Sequence, residues 1–331
     1  MRLALCAGPA AVLLLIPAAA AAQVQTQYQL TGDETPSSQP WTQPASLSWM
    51  ESSEDDEDRL AVDAALKVSH AFASRTGGFV RGVAHVSDQS KKQQETYSLQ
   101  AGLTHDATFG GRRDEQGALH GALSLYTDVY LGWNSKATFG DPTTAACVAA
   151  PTAPACGTQH QKSYRLSLDL QPFMESWERT YAVEQAPDGT SRTTGDWAYS
   201  FAPRLVVFHD EVTEAVLNAA GQEEDGAVSG ARLMFSFAVS PPVFDHRLIF
   251  RTSLQHMQAF HRSEEREPSF DASTSLAKVS LDYEFGARSW EKAGWAPSIG
   301  LAYSSGEDPL EGRKDKDDVS VALRLTYRSG S

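Results

Sequence analysis

The chain has 331 residues, 41% of them hydrophobic, and no internal apolar run reaches the ~18 residues that a spanning helix needs, so a bundle of membrane helices is excluded. Twenty-eight basic against 42 acidic residues give a net charge of −14, which argues against a general nucleic-acid binder, because that function needs a basic footprint. Collagen-like and coiled-coil readings fail for want of a repeating period, and what remains is an exported all-β chain.

Residues 1–22 read as a cleaved signal peptide. Arg2 supplies the positive charge, Val12 to Ile16 the apolar core, and Ala20-Ala21-Ala22 the small residues that a peptidase requires. A retained anchor helix is the competing reading, and the shortness of the apolar core argues against it. Cys6 precedes that core, so lipidation there would leave no signal sequence behind it. Residues 23–59 follow as an N-terminal segment holding a first strand and an acidic loop. In the strand, Val24, Thr26, Tyr28 and Leu30 alternate with Gln25, Gln27 and Gln29. The loop carries Glu51, Glu54, Asp55, Asp56, Glu57 and Asp58.

From residue 60 to 331 the pattern has period two. Leu60, Val62, Ala64, Leu66 and Val68 alternate with Asp63, Ala65, Lys67 and Ser69, and Tyr97, Leu99, Ala101 and Leu103 with Ser98, Gln100, Gly102 and Thr104. The longest run is 119–134. Further strands are predicted at 163–183 (bent near Pro172), 197–208, 228–239, 248–260, 273–285, 298–303 and 319–327. Strands of ~9–11 residues with one apolar and one polar face are the pattern of a membrane barrel. A soluble β-sandwich would also alternate, but its strands are shorter and its buried face does not carry ionisable groups in nearly every strand. Aromatics gather near strand ends, at Phe72, Trp133, Trp177, Tyr181, Trp197, Phe260, Phe285, Trp295 and Tyr327, as interface girdles require.

Topology then sets the strand number. Long connections at 134–162, 209–227, 261–272 and 304–318 are expected to face outward, with Ser240-Pro241-Pro242 and 286–294 as periplasmic turns. This register gives an all-β, antiparallel up-and-down transmembrane barrel of twelve strands. An alternative register, in which 23–59 is a periplasmic tail and 163–183 splits in two, also gives twelve strands but would place the cysteine segment in the periplasm.

The last strand, Ser320-Val321-Ala322-Leu323-Arg324-Leu325-Thr326-Tyr327, resembles the terminal-strand signal of bacterial outer-membrane β-barrel proteins. Ser320 is the polar residue, Ala322 the small one, and Leu325 with Tyr327 supplies the closing hydrophobic and aromatic pair. The sequence departs from that signal in having alanine where glycine is usual and four residues after the aromatic. The resemblance implies location in the outer membrane of a Gram-negative bacterium, contact with its lipid and lipopolysaccharide, and recognition by the barrel assembly machinery.

Placing the polar parity inside gives a lumen lined by Lys67, Arg81, Asp128, Arg165, Asp169, Arg204, Arg232, Arg251, Lys278, Asp282 and Arg324, with Asp63 and Glu284. Arg81 shares its face with Phe79 and Val83, which leaves that strand's parity ambiguous. Eight basic groups against five acidic ones would make a lumen near +3. The expected function is a porin-like channel for small, anionic solutes, because cations lining a confined pore attract and order anions. Two alternatives stand beside it: a closed structural or export barrel of a surface-polysaccharide system, whose interior Arg and Asp pair across it, and a lipid-modifying enzyme.

The enzyme reading lacks an assembled site. Ser69 and His70 are adjacent and point to opposite faces. His120 and Asp128 lie eight residues apart on one predicted strand. His209-Asp210-Glu211 has no serine that the sequence brings beside it. No catalytic residue, metal ligand set or cofactor motif emerges, and His160 alone beside two cysteines does not make a zinc site.

Cys147 and Cys156 are expected to form a disulfide at a loop tip, since two nearby thiols pair in an oxidising compartment. A loop this short gains about 2–3 kcal/mol of chain-entropy stabilisation. Without reductant, neither thiol should react with an alkylating agent, and a Cys147→Ser, Cys156→Ser double variant should still assemble; labelling of both thiols in the parent would refute the pairing.

Overall fold

The computed structural model describes residues 26–31, 45–52, 58–89, 94–113, 119–139, 158–179, 182–185, 191–194, 196–217, 223–266, 270–285, 294–308 and 313–328. The signal peptide, Cys147, Cys156 and Tyr181 lie outside them.

The described residues form an antiparallel sheet closed on itself, with twelve strand positions. Strand β1 has two segments, Thr26–Thr31 and Ala45–Ser52. It is followed by β2 (Asp58–Ala73), β3 (Thr76–Gln89), β4 (Gln94–Phe109), β5 (Leu123–Phe139) and β6 (Thr158–Met174). The remaining strands are β7 (Ala198–Leu217), β8 (Glu223–Ser240), β9 (Leu248–Arg262), β10 (Ser273–Glu284), β11 (Gly294–Asp308) and β12 (Arg313–Arg328). Each pairs with its sequence neighbours, and β12 closes the ring on both segments of β1. Along β2, Thr31 stands opposite Ala65 and Ser46 opposite Asp63, so the second segment of β1 continues the line of the first.

Alternation decides which face turns outward, because successive side chains of a strand point to opposite sides. Leu60, Val62 and Leu66 of β2, Leu99 and Leu103 of β4, Val129, Leu131 and Trp133 of β5, and Leu323 of β12 are all exposed on the outer wall. On β4 this wall runs from Tyr97 to Phe109, which at ~3.3 Å per residue and a tilt of ~40° is about 30 Å high, the thickness of a bilayer core. Phe72, Trp133, Trp197, Phe260 and Phe285 stand exposed at its edges, while Trp177 packs edge-on against Phe201 at 5.6 Å.

Several boundaries differ from the sequence expectation, and for one reason. The ladder continues past the apolar belt, so strands extend into stretches whose composition reads as connection. Strand β7 runs to Leu217 and β8 begins at Glu223, which leaves five residues of the expected 209–227 connection. Similarly β5 reaches Phe139, β6 begins at Thr158, and the predicted 304–318 loop is mostly ladder between β11 and β12. The 119–134 run is interrupted: Leu119–His120 belongs to a small hairpin with Arg112–Arg113, and Gly121 at φ +66° turns the chain into β5. The predicted strand 163–183 stops at Met174, where a short 3-10 turn begins, and Pro172 stays in the ladder opposite Leu125.

Two inward aromatics lie over inward glycines. Tyr130 stands opposite Gly102 and Phe208 opposite Gly230. A Cβ at Gly102 would sit 2.4 Å from the Val129 carbonyl oxygen and 2.6 Å from the Tyr130 Cβ, and one at Gly230 2.9 Å from the Phe208 ring. Only glycine lets the rings settle there.

The β8–β9 connection places Phe244, Asp245 and His246 in the left-handed region, at φ 51°, 58° and 58°, a conformation that costs non-glycine residues about 1–2 kcal/mol each. Ser240 offsets this. Its hydroxyl lies 2.9 Å from the carbonyl oxygens of both His246 and Leu248, and His246 Nδ1 lies 3.3 Å from the Ser240 carbonyl. The turn presents Phe244 to the ring of Tyr283 on the outer wall, centroids 6.4 Å apart.

Gly102→Val should lower stability by about 1–3 kcal/mol through overpacking against Tyr130, read as a fall in the temperature at which the folded band shifts in a heat-modifiability gel. An unchanged transition would show that the ring does not depend on the glycine.

Candidate functional site

Inward positions alternate with the apolar wall, and they carry Lys67 on β2, Arg81 on β3, Asp128 on β5, Arg165 and Asp169 on β6, Arg204 on β7, Arg232 on β8, Arg251 on β9, Lys278 and Asp282 on β10, and Arg324 on β12. The parity of β3 is resolved: Phe79, Arg81 and Val83 all face inward and are buried, while Val80 is exposed outside.

These groups are held in pairs. Arg204 Nε lies 2.9 Å from both carboxylate oxygens of Asp169, and its Nη2 bonds the same carboxylate. Arg165 Nε donates to Asp210 at 3.1 Å, and the Ser163 hydroxyl donates to the same oxygen at 3.0 Å. Arg251 and Arg324 converge on Asp282, with Glu284 3.8 Å from Arg251. Gly300 makes this convergence fit, because a Cβ there would overlap both Asp282 and Arg324. Asp63 accepts from Ser46 at 3.3 Å and lies 2.8 Å from His85 Nδ1. Further along β2, Lys67 lies 3.5 Å from Asp128 and 4.4 Å above the Phe79 ring. Arg81 packs over Phe79 and Tyr130 at 5.6 and 5.3 Å while its Nε donates to Gln100 at 2.9 Å.

Further charged groups occupy inward positions beyond those that the alternation marked. Asp106, Asp210 and Asp318 also occupy inward positions, because β4, β7 and β12 extend beyond the stretches the alternation marked, and so do Lys136, opposite Thr96, and Arg262, opposite Val228; among the described residues this makes ten basic groups against eight acidic. Among these groups Lys278 differs. The residue is half-buried, and among the described residues it makes no hydrogen bond or ion pair.

Near the end of the barrel opposite the close of β12, the interior turns apolar. Phe208, Val228 and Met257 face inward and form a buried cluster with Phe270, which comes from the β9–β10 connection. Ala259 packs against it, and Leu276 is buried on the next strand. The connection is tied down by Arg262 Nη1, donating to the Phe270 carbonyl at 2.8 Å, and by the Ala259 N–H, donating to Ala272 at 2.8 Å. Arg266 lies over the Phe270 ring at 5.4 Å. Beside it, Glu265 accepts from its own backbone N–H and from Ser263, which holds its carboxyl below the usual range.

The candidate catalytic groups are dispersed. His120 stands on the small hairpin, 3.5 Å from Glu175, and not on the strand of Asp128. His209 does have a serine beside it, with Nδ1 2.8 Å from the Ser229 hydroxyl on the outer wall, a contact that sequence spacing missed. Its neighbour Asp210 points inward to Arg165 and cannot orient it. The same cross-strand histidine–hydroxyl contact recurs at Thr26–His70, Thr76–His105 and His256–Ser275, so it is a repeated feature of the wall. Among the described residues no group of three potential metal ligands occurs. Ser320 and Ala322 face inward on β12, and Tyr327 stands opposite Leu30 of β1 at the closing seam.

No protein-family model and no curated protein matches the chain. Among solved structures, it is similar to the β domain of the Bordetella autotransporter BrkA, at 11% identity over 93% of this chain and 99% of that one, with a TM-score of 0.43. The translocator domain of the autotransporter NalP from Neisseria meningitidis aligns at 13% identity over 92% of this chain and 88% of that one, TM-score 0.36. An outer membrane channel from Pseudomonas putida F1 aligns at 12% identity over 92% and 94%, TM-score 0.38.

Removing one member of a buried pair leaves an uncompensated charge. Asp169→Ala should destabilise the barrel by about 3–5 kcal/mol, and adding Arg204→Met should recover most of the loss. Urea unfolding in lipid vesicles checks this; equal destabilisation in the single and double variants would show that the pair is not coupled.

Proposed function

We propose that the protein is an outer-membrane channel of a Gram-negative bacterium, exported by a cleaved signal peptide, that passes small solutes with a preference for anions. The apolar wall about 30 Å high supports the membrane assignment, with lipid and lipopolysaccharide as surroundings and the barrel assembly machinery as the insertion partner. The observation that carries the anion preference is Lys278, a lumenal ammonium without a partner among the described residues. The other cations are neutralised or held by their neighbours, whereas this one leaves its charge to whatever enters. Acting in a confined space, one fixed charge biases entry more as salt is diluted and the Debye length grows from about 3 Å at 1 M to about 30 Å at 0.01 M.

A second reading is favoured by a specific observation. Arg81, Asp169, Arg204, Arg232 and Asp282 are nearly inaccessible to water, so at their level the lumen is filled. A closed structural or export barrel, with pairs as packing, accounts for this.

Reversal potentials across a salt gradient in a planar bilayer separate the two. The channel should conduct and prefer chloride to potassium, the more so in dilute salt, and Lys278→Gln should reduce that preference with assembly unchanged, since no carboxylate loses its partner. Cation selectivity, or selectivity indifferent to Lys278→Gln, would defeat the anion reading, and absence of conductance would establish the closed barrel.

A further inference from the structure

The interior of a transmembrane barrel is ordinarily polar. Here the inner faces of β7 to β10 carry Phe208, Val228, Met257 and Leu276, and the ring of Phe270 lies among the first three. Apolar side chains facing a lumen form, in water, a recess that favours an apolar occupant. Phe270, the one member from a connection, is the occupant in this structure.

Arg232, Arg262 and Arg266 adjoin the recess and are engaged with their neighbours, whereas Lys278 lies a fixed distance away. In register, Met257 stands opposite Thr274 on β10 and opposite Arg232 on β8, Gln255 opposite Leu276, and Ser253 opposite Lys278. Leu276 and Lys278 therefore project inward from the same strand about 7 Å apart along it, and the Met257 level lies about 13 Å from that of Lys278. An apolar floor with a cation one molecular length beyond it matches a ligand with an apolar body and one anionic end.

We infer that this recess is a binding site for organic carboxylates with an aromatic or short aliphatic body: the body packs against Met257 and Leu276, at the side of the recess nearest Lys278 and where the Phe270 ring now abuts Met257, and the carboxylate pairs with Lys278. The inference rests on the channel reading and names its solute class. A carboxylate lacking the apolar body gains only the ion pair, which is weak near water. A neutral aromatic gains only the burial. The two together should distinguish such a solute from either half.

Ligand-observed NMR on the purified protein in detergent, with empty micelles as the blank, tests this with sodium benzoate, sodium acetate and benzyl alcohol. Benzoate should bind about tenfold more tightly than acetate. Lys278→Gln should weaken benzoate about tenfold and leave benzyl alcohol unchanged. Phe270→Ala, which lies outside the strands and so spares the ladder, should tighten benzoate severalfold by emptying the recess. The site is refuted if benzoate binds no better than acetate, or if either variant binds benzoate as the parent does. The readout needs no ion flow, so a barrel that fails to conduct but binds benzoate as described refutes the channel alone, and an anion-selective channel that treats benzoate as acetate refutes the recess alone.

Discussion

Hydrocarbon offers no hydrogen-bond partner to a backbone amide, so a sheet immersed in it can have no free edge. Here the edge is removed where β12 meets β1, and that junction is made by two stretches of chain: Leu325 to Asp318 pairs with the upper segment of β1, and Tyr327 with Arg328 reaches the lower one. Both segments also pair with β2, so the seam is a full strand in hydrogen bonding though not in covalent continuity. Closure then fixes parity all round the ring. Once β1 and β12 agree on which side is in, every strand between them has its apolar face committed to the outside.

That commitment gives the inside its character. A narrow barrel whose outer wall takes the apolar residues must fill its interior with whatever remains, and ionic groups withdrawn from water are tolerable only in company. The chain meets this with Arg204 on Asp169, Arg165 on Asp210, and two arginines on Asp282, each arginine reaching a carboxylate on a different strand. These contacts brace neighbouring staves of the barrel. Two features of the described residues depart from this pairing: the ammonium of Lys278 on β10, and the aromatic and aliphatic cluster around Phe208 that faces inward.

How much of this the sequence discloses follows from the same physics. Alternation is a local property, and it reveals the fold and, within the apolar belt, the parity of each strand. Strand ends are not local in that sense. Above the belt, alternation loses its apolar half because both faces meet water, yet the ladder continues, so Asp210 and Asp318 read as loop residues while pairing in register. Alternation within the belt therefore leaves such groups, acidic and basic, out of the count of inward charge. Phe208, Val228 and Met257 escaped notice for a different reason: a rule that sends apolar residues outward has no means of recognising apolar residues that face in. The contact of His209 with Ser229 needed the β7–β8 register, which depends on a connection whose length was overestimated.

The rings of Tyr130 and Phe208 seated over glycines have a consequence for how such a molecule changes in descent. The circumference of a barrel is set by strand number and stagger, which change only by gaining or losing whole hairpins. The bore is set by what projects inward, and at these two places it depends on a residue on one strand and an absent side chain on the next. A smaller group at 130 or 208 widens the passage while every hydrogen bond of the wall stays in place, whereas a larger group at 102 or 230 must wait until the facing ring has gone. Calibre is therefore inherited separately from architecture, and the order in which paired positions are altered is constrained even where the final combination is not.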